Sequence, residues 1–197
     1  MKKLILFAAL AIFVIANTNA QVNFGAKAGV NFSDITGDDV DSFTGRTGFH
    51  VGFVAEIMIT ETFAFQPEIM YSAQGSDYEE HYEGEDYTGE APIDYINVPL
   101  MAKLYLGEGG FSVEAGPQVG LLMSAKFKED GEEVDIKDDL KSTDFGVNLG
   151  LGYKMESGLN FGARYNLGLS NANDSDDIDG GAEYKNSVIQ LSVGYFF

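Results

Sequence analysis

Charged side chains set among apolar neighbours are the residues of this chain best placed to do chemistry. Lys27, Glu56, Glu68, Lys103, Glu114, Asp144, Lys154 and Arg164 each stand in a run where apolar residues alternate with small or polar ones. Four are cations and four are anions, although the whole chain has 31 acidic residues against 12 basic. Such groups either sit as hydrated wall residues or pair with one another, because an isolated buried charge is prohibitively unfavourable. The balance of signs favours pairing. Glu56 and Glu68 flank one hairpin and can be neighboured by Lys27 and Lys103; Glu114 lies beside the strand of Lys103, and Lys154 beside that of Arg164.

A second set is acidic. The stretches 33–46, 75–91, 125–142 and 172–186 hold 23 of the 31 acids. Crowded carboxylates form a solvated, self-repelling surface, or they gather hard divalent cations weakly. Asp174, Asp176, Asp177 and Asp179 are weakly similar to a calcium loop, but no Glu closes it at the right distance. A third set is small. His50 and His81 are the two histidines, and neither has a nucleophile partner visible in the sequence. No catalytic residue and no cofactor is assigned, and the chain is not expected to be an enzyme.

The elements that position these residues follow from alternation. In 145–155, Phe145, Val147, Leu149, Leu151 and Tyr153 share one face, and Gly146, Asn148, Gly150, Gly152 and Lys154 the other. A short turn joins this run to 159–170, which alternates in the same way. Glycine weakens a strand and covers nothing. Its recurrence on the polar face therefore signals crowding there, as in a narrow barrel whose polar interior must admit a few long side chains. The apolar face then meets lipid. Strands of the same kind are predicted over 22–32, 47–57, 62–74, 93–106, 111–124 and 187–197, making eight with the hairpin. In 47–57 the outward residues are Phe49, Val51, Phe53, Ala55 and Ile57. The connections 58–61, 107–110 and 156–158 are short, and the four acidic stretches are long loops. Sorting of this kind separates a periplasmic from an extracellular end. Outward aromatics gather near both ends, with Phe24, Phe111 and Tyr195 at the short-turn side and Phe32, Phe49 and Phe145 at the other.

Residues 1–20 read as a signal peptide: Lys2 and Lys3, an apolar run over 4–16, then Thr18-Asn19-Ala20 before a cleavage point. The remaining domain is 21–197. The run is too short to span a membrane as a helix. There is no cysteine. The formal charge of −19 excludes nucleic acid as a partner, which needs a basic footprint.

Four motifs carry a resemblance. They are Phe24-Gly25-Ala26-Lys27-Ala28-Gly29-Val30-Asn31-Phe32-Ser33, Tyr95-Ile96-Asn97-Val98-Pro99-Leu100, Glu114-Ala115-Gly116-Pro117-Gln118-Val119-Gly120, and the closing Leu191-Ser192-Val193-Gly194-Tyr195-Phe196-Phe197. With them the chain, over 21–197, resembles the porin-like outer-membrane β-barrel proteins of Bacteroidota, which include the PorT-like group. Some members resemble parts of a protein-secretion apparatus. The terminal Phe197 resembles the signal read by the barrel-assembly machinery, although a basic residue often precedes the last Phe and Phe196 departs from that.

The expectation is an all-β, eight-stranded antiparallel up-and-down transmembrane β-barrel in the outer membrane of a Gram-negative cell. Its role is structural or interactive, with acidic extracellular loops and a closed lumen. The alternatives are a PorT-like component of a secretion or transport complex, or a small porin. The partners expected are outer-membrane lipid, the barrel-assembly machinery, a protein met through the loops and, weakly, divalent cations.

Overall fold

The computed structural model describes residues 21–37, 43–82, 85–129, 131–171 and 184–197, with side chains outside 79–87. Alternating runs become strands β1 (Val22–Gly37), β2 (Phe43–Met58), β3 (Phe63–Tyr82), β4 (Glu85–Tyr105), β5 (Phe111–Glu129), β6 (Glu132–Asp135), β7 (Thr143–Lys154), β8 (Leu159–Gly168) and β9 (Tyr184–Phe196). Each long strand pairs antiparallel with the next, β5 pairs with β7, and β9 returns to β1 from Gly25↔Phe196 to Gly37↔Tyr184. The ring therefore closes with eight strands, and β6 is a short addition paired to β5 outside the ring. Closure satisfies the backbone of every wall strand without leaving a free edge, which the bilayer interior requires.

Burial is inverted relative to a soluble protein. Phe24, Val30, Phe49, Val51, Phe53, Leu149, Leu151, Leu191 and Val193 are exposed, while Asn31, His50, Glu56, Glu68, Lys103, Asn148 and Arg164 are buried. A continuous apolar belt of this size is unfavourable in water and suits lipid. The predicted outward faces hold, with one exception. Ile57, paired between Val22 and Phe65, is 8% exposed.

The two ends differ as expected. Tight turns join β2 to β3, β4 to β5 and β7 to β8. Gly110 and Gly158 adopt φ of 76° and 90°, and a Cβ there would lie 2.1 Å from Lys154 O and 2.3 Å from Phe196 O. The opposite end corrects the expected loop over 75–91. Most of it is strand: β3 and β4 stay paired from Gln74↔Ile93 to Tyr82↔Glu85. Acidic composition signals water, not loss of pairing, and a ladder above the lipid can face water on both sides. The strands β1, β2 and β5 likewise run past their expected outer limits.

Candidate functional site: the filled lumen

Inward positions of eight strands enclose a space only wide enough for side chains to fill it. At the short-turn end that space holds an ionic chain. Lys27 Nζ donates to Glu68 Oε2 at 2.6 Å. The Arg164 guanidinium grips the same carboxylate with two bonds, of 3.0 and 2.9 Å. Arg164 also donates to Glu114 at 3.0 Å, and Lys103 Nζ lies 3.4 Å from Glu114. Lys103 then donates to Glu56 at 3.3 Å, and Lys154 donates to Glu56 at 2.5 Å. Cation and anion alternate from Lys27 through Glu68, Arg164, Glu114, Lys103 and Glu56 to Lys154. Gln66 Nε2 donates to Glu68 at 2.6 Å, and the Tyr105 hydroxyl donates to Glu56. Two-point Arg–carboxylate contacts of this kind are the strongest polar links a barrel interior can make.

Seven of the eight charged residues singled out in the sequence thus meet in one layer. Asp144 does not. It accepts a bond of 2.6 Å from Ser170 Oγ near the other end of β7. The pairing also differs from the neighbouring-strand arrangement suggested by sequence. Arg164 on β8 reaches Glu68 on β3, and these strands are not neighbours in the ring. Glycine makes room for the Glu114 carboxylate in this layer. A Cβ at Gly152 would lie 2.6 Å from both Glu114 Oε1 and Ser112 Oγ.

Above the ions sits a neutral polar layer that the sequence did not reveal. Asn31 Nδ2 donates to Ala73 O at 2.8 Å and to Phe49 O at 3.1 Å, which fixes its amide orientation. Its Oδ1 then faces His50 Nδ1 at 2.7 Å, and His50 Nε2 lies 2.9 Å from Ser192 Oγ. Nδ1 must carry the proton to donate to an amide oxygen, so Nε2 accepts from the serine. Serine, histidine and asparagine stand in the order of a nucleophile, a base and an orienting group. The cavity that Ser192 lines has a volume of about 20 Å³, and His50 is 1% exposed. His50 could have been linked to Gly29 in the sequence only with the register in hand: a Cβ at Gly29 would lie 2.7 Å from the imidazole.

The outer end is closed by apolar groups. A bulge between Asp94 and Tyr95 shifts the parity of β5, so that Leu122 and Ala125 both turn inward. They join Ile93 and Tyr95, and Ile136 and Leu140 pack against this cluster from the segment after β6. Beyond it Phe43, Tyr78, Tyr184 and Phe127 form a file of edge-on rings, with centroids 6.1 to 6.4 Å apart. Arg46 pairs with Asp77 at 2.7 Å and with Glu90 at 3.3 Å at the rim, and Lys126 pairs with Glu133.

Among the described residues no group of three or more His, Cys, Asp or Glu could hold a metal ion. Asp174, Asp176, Asp177 and Asp179, and the segment 1–20, lie outside the described residues. Phe197 stands on the outer face, 76% exposed, just after β9.

No curated protein matches the chain. Among solved structures it is similar to Neisserial surface protein A, with a TM-score of 0.57 and 12% identity over 90% of this chain and 99% of that one. It is also similar to Ail, the attachment invasion locus protein of Yersinia pestis, with a TM-score of 0.52 and 15% identity over 90% and 99%. A second Ail structure, in complex with the heparin analogue sucrose octasulfate, aligns with a TM-score of 0.52 and 16% identity over the same shares. At such identities the likeness is one of fold. The sequence itself matches the model of the outer membrane protein beta-barrel domain over residues 16–174. An inverted, closed eight-stranded ring with this match is a small outer-membrane barrel, and the chain belongs to the outer membrane protein beta-barrel domain family.

Proposed function

We propose that this outer-membrane barrel is not a diffusion channel, and that its role is carried by an acidic extracellular end that meets a partner. The observation that supports this is the continuous filling of the lumen. The ionic chain, the His50 layer, the Ile93 cluster and the Phe43 rings follow one another along the axis. The ionic chain fixes the strand register and plugs the periplasmic half. Residues 1–20 direct export and are removed, and Phe197 serves the barrel-assembly machinery.

The partner is cationic in character. Ail has been seen with a sulfated sugar, but a polyanion would be repelled by the outer end of this chain, whose formal charge is −19. A basic protein surface fits it, as do weakly held divalent cations. The same end suits a barrel component of a PorT-like secretion complex. That second reading is favoured by the long paired β3 and β4, which offer a rigid docking element.

Planar-bilayer recording with the purified protein tests the closed lumen. The expected record shows no steady conductance. Stable channels of porin size from the wild-type protein would overturn the reading in favour of a small porin. Crosslinking in native outer membranes, followed by pull-down, tests the partner.

A further inference from the structure

The ionic chain begins and ends on a cation. Lys27, Arg164, Lys103 and Lys154 face only Glu68, Glu114 and Glu56, since Asp144 lies elsewhere. The layer therefore carries one surplus positive charge. Donors are in excess as well. Lysine has three N–H groups and arginine five. Lys27 and Lys154 each make one hydrogen bond to a carboxylate here, and Arg164 makes three. All three side chains line one small, partly open cavity of about 20 Å³, together with Asn160, Lys103 and the paired carboxylate of Glu114. The Asn160 Nδ2 is buried and has no hydrogen-bond partner among the described residues. A buried donor left without an acceptor is unfavourable by about 1–3 kcal/mol. The cavity is large enough for one water-sized occupant and too small for more.

We infer that this cavity binds a single small monovalent anion, chloride in the cell, which completes the ionic layer. An acceptor-only ion answers both imbalances at once: it cancels the surplus charge and it receives the idle N–H groups of Asn160, Lys27, Lys154 and Arg164. Water answers only the second, and it brings two donors of its own into a donor-rich site. The ion enters from the periplasmic side, where the side chain of Lys154 is 23% exposed. The outer end is closed by apolar groups and carries acids at its rim. The site is a structural one, akin to a counter-ion sealed within a salt. It rests on the ionic layer alone, and not on closure of the lumen or on any role of the outer end.

The test uses the protein purified from outer membranes into a zwitterionic detergent. Urea midpoints are measured in chloride, bromide and sulfate salts at matched ionic strength. The expected midpoint rises along a saturating single-site curve in chloride and in bromide at millimolar salt; sulfate, too large to enter, gives only the gradual, non-saturating rise of a salt excluded from the protein surface. Lys154→Gln removes the surplus charge, and Asn160→Asp supplies the missing anion from the wall. Both variants are expected to lose the halide-dependent rise, with Asn160→Asp holding a high midpoint in every salt. Crystals grown with bromide are expected to show an anomalous peak within contact distance of Asn160 Nδ2. A halide titration without a saturating component, or a bromide-free cavity holding water, would overturn the inference. So would a halide response that Asn160→Asp leaves unchanged. Conductance is a separate readout: a barrel that conducts yet keeps the halide response would sink the closed-lumen reading and leave the anion site standing.

Discussion

Glu68→Gln keeps the shape of the side chain and removes one charge from the centre of the ionic layer. The Glu68 side chain is fully buried and accepts four hydrogen bonds, from Lys27, Gln66 and twice from Arg164, all between 2.6 and 3.0 Å. The amide can accept at one atom only, and its nitrogen would point at a cation. Breaking a buried ion pair by removing one partner destabilises by about 3–5 kcal/mol. Arg164 retains Glu114, and the Lys27 side chain is 10% exposed, so the lower end applies. A loss of about 3 kcal/mol, at a urea slope of roughly 1–3 kcal/mol/M, lowers the unfolding midpoint by about 1–3 M. Urea titration in detergent micelles, followed by circular dichroism and by heat-modifiable migration, reads this directly. Asp144→Asn is the control. Asp144 bonds Ser170, Asn186 and the Phe145 backbone, all outside the layer and none of them charged, and the change is expected to lose about 1 kcal/mol. Pairing Glu68→Gln with Arg164→Met should lose less than the sum of the two single changes, since they share one contact. A Glu68→Gln midpoint within about 0.3 M of the parent would refute the paired layer. So would a Glu68→Ala, Glu114→Ala double variant as heat-stable as its parent.

Other outcomes follow from the wall and the outer end. Arg at Leu149 or Val193, which face lipid at 58% and 46% exposure, is expected to impair insertion by about 2–4 kcal/mol at mid-depth, read as folding yield into vesicles. Arg at Gly150, which faces the lumen, should instead fail by crowding, and equal behaviour of the two faces would contradict the inside–outside assignment. Gly29→Ala places a Cβ 2.0 Å from Leu191 O and against the His50 ring, and is expected to destabilise by about 1–3 kcal/mol, whereas Gly107→Ala meets no atom within 4 Å and strains only its backbone. Calorimetry with calcium is expected to show weak heat that disappears when the acids from Asp77 to Glu90 become amides; no heat at millimolar calcium leaves only a solvated surface.

Alternation alone was enough to reveal the strands, their faces and the sorting of short and long connections, because a two-residue period is written directly into Leu149, Leu151 and their glycine neighbours. Inward charge was readable for the same reason. Depth was readable too, since strand direction sets all of these charges but Asp144 in the periplasmic half. Partners were not, and the serine that bonds Asp144 comes from beyond β8. Arg164 finds Glu68 across the lumen, a contact between strands whose adjacency no local pattern records. The Asn31–His50–Ser192 array joins three strands beside the gap at Gly29, so no spacing announces it. Acid-rich 75–91 reads as loop because charge predicts water, while the ladder beneath those side chains needs only backbone.

The length of β3 and β4 sets how far the protein reaches. They hold 20 and 21 residues, and a tilted strand needs only about 9–11 to cross the hydrocarbon. Roughly ten residues of each therefore stand clear of it. At about 3.3 Å per residue and a tilt near 45°, the tip rises on the order of 20–25 Å above the lipid. That is taller than the headgroup layer on one side of a bilayer. A molecule meeting the tip arrives from the medium and not sideways through the membrane, and a neighbour confined to the lipid plane touches only the apolar belt below.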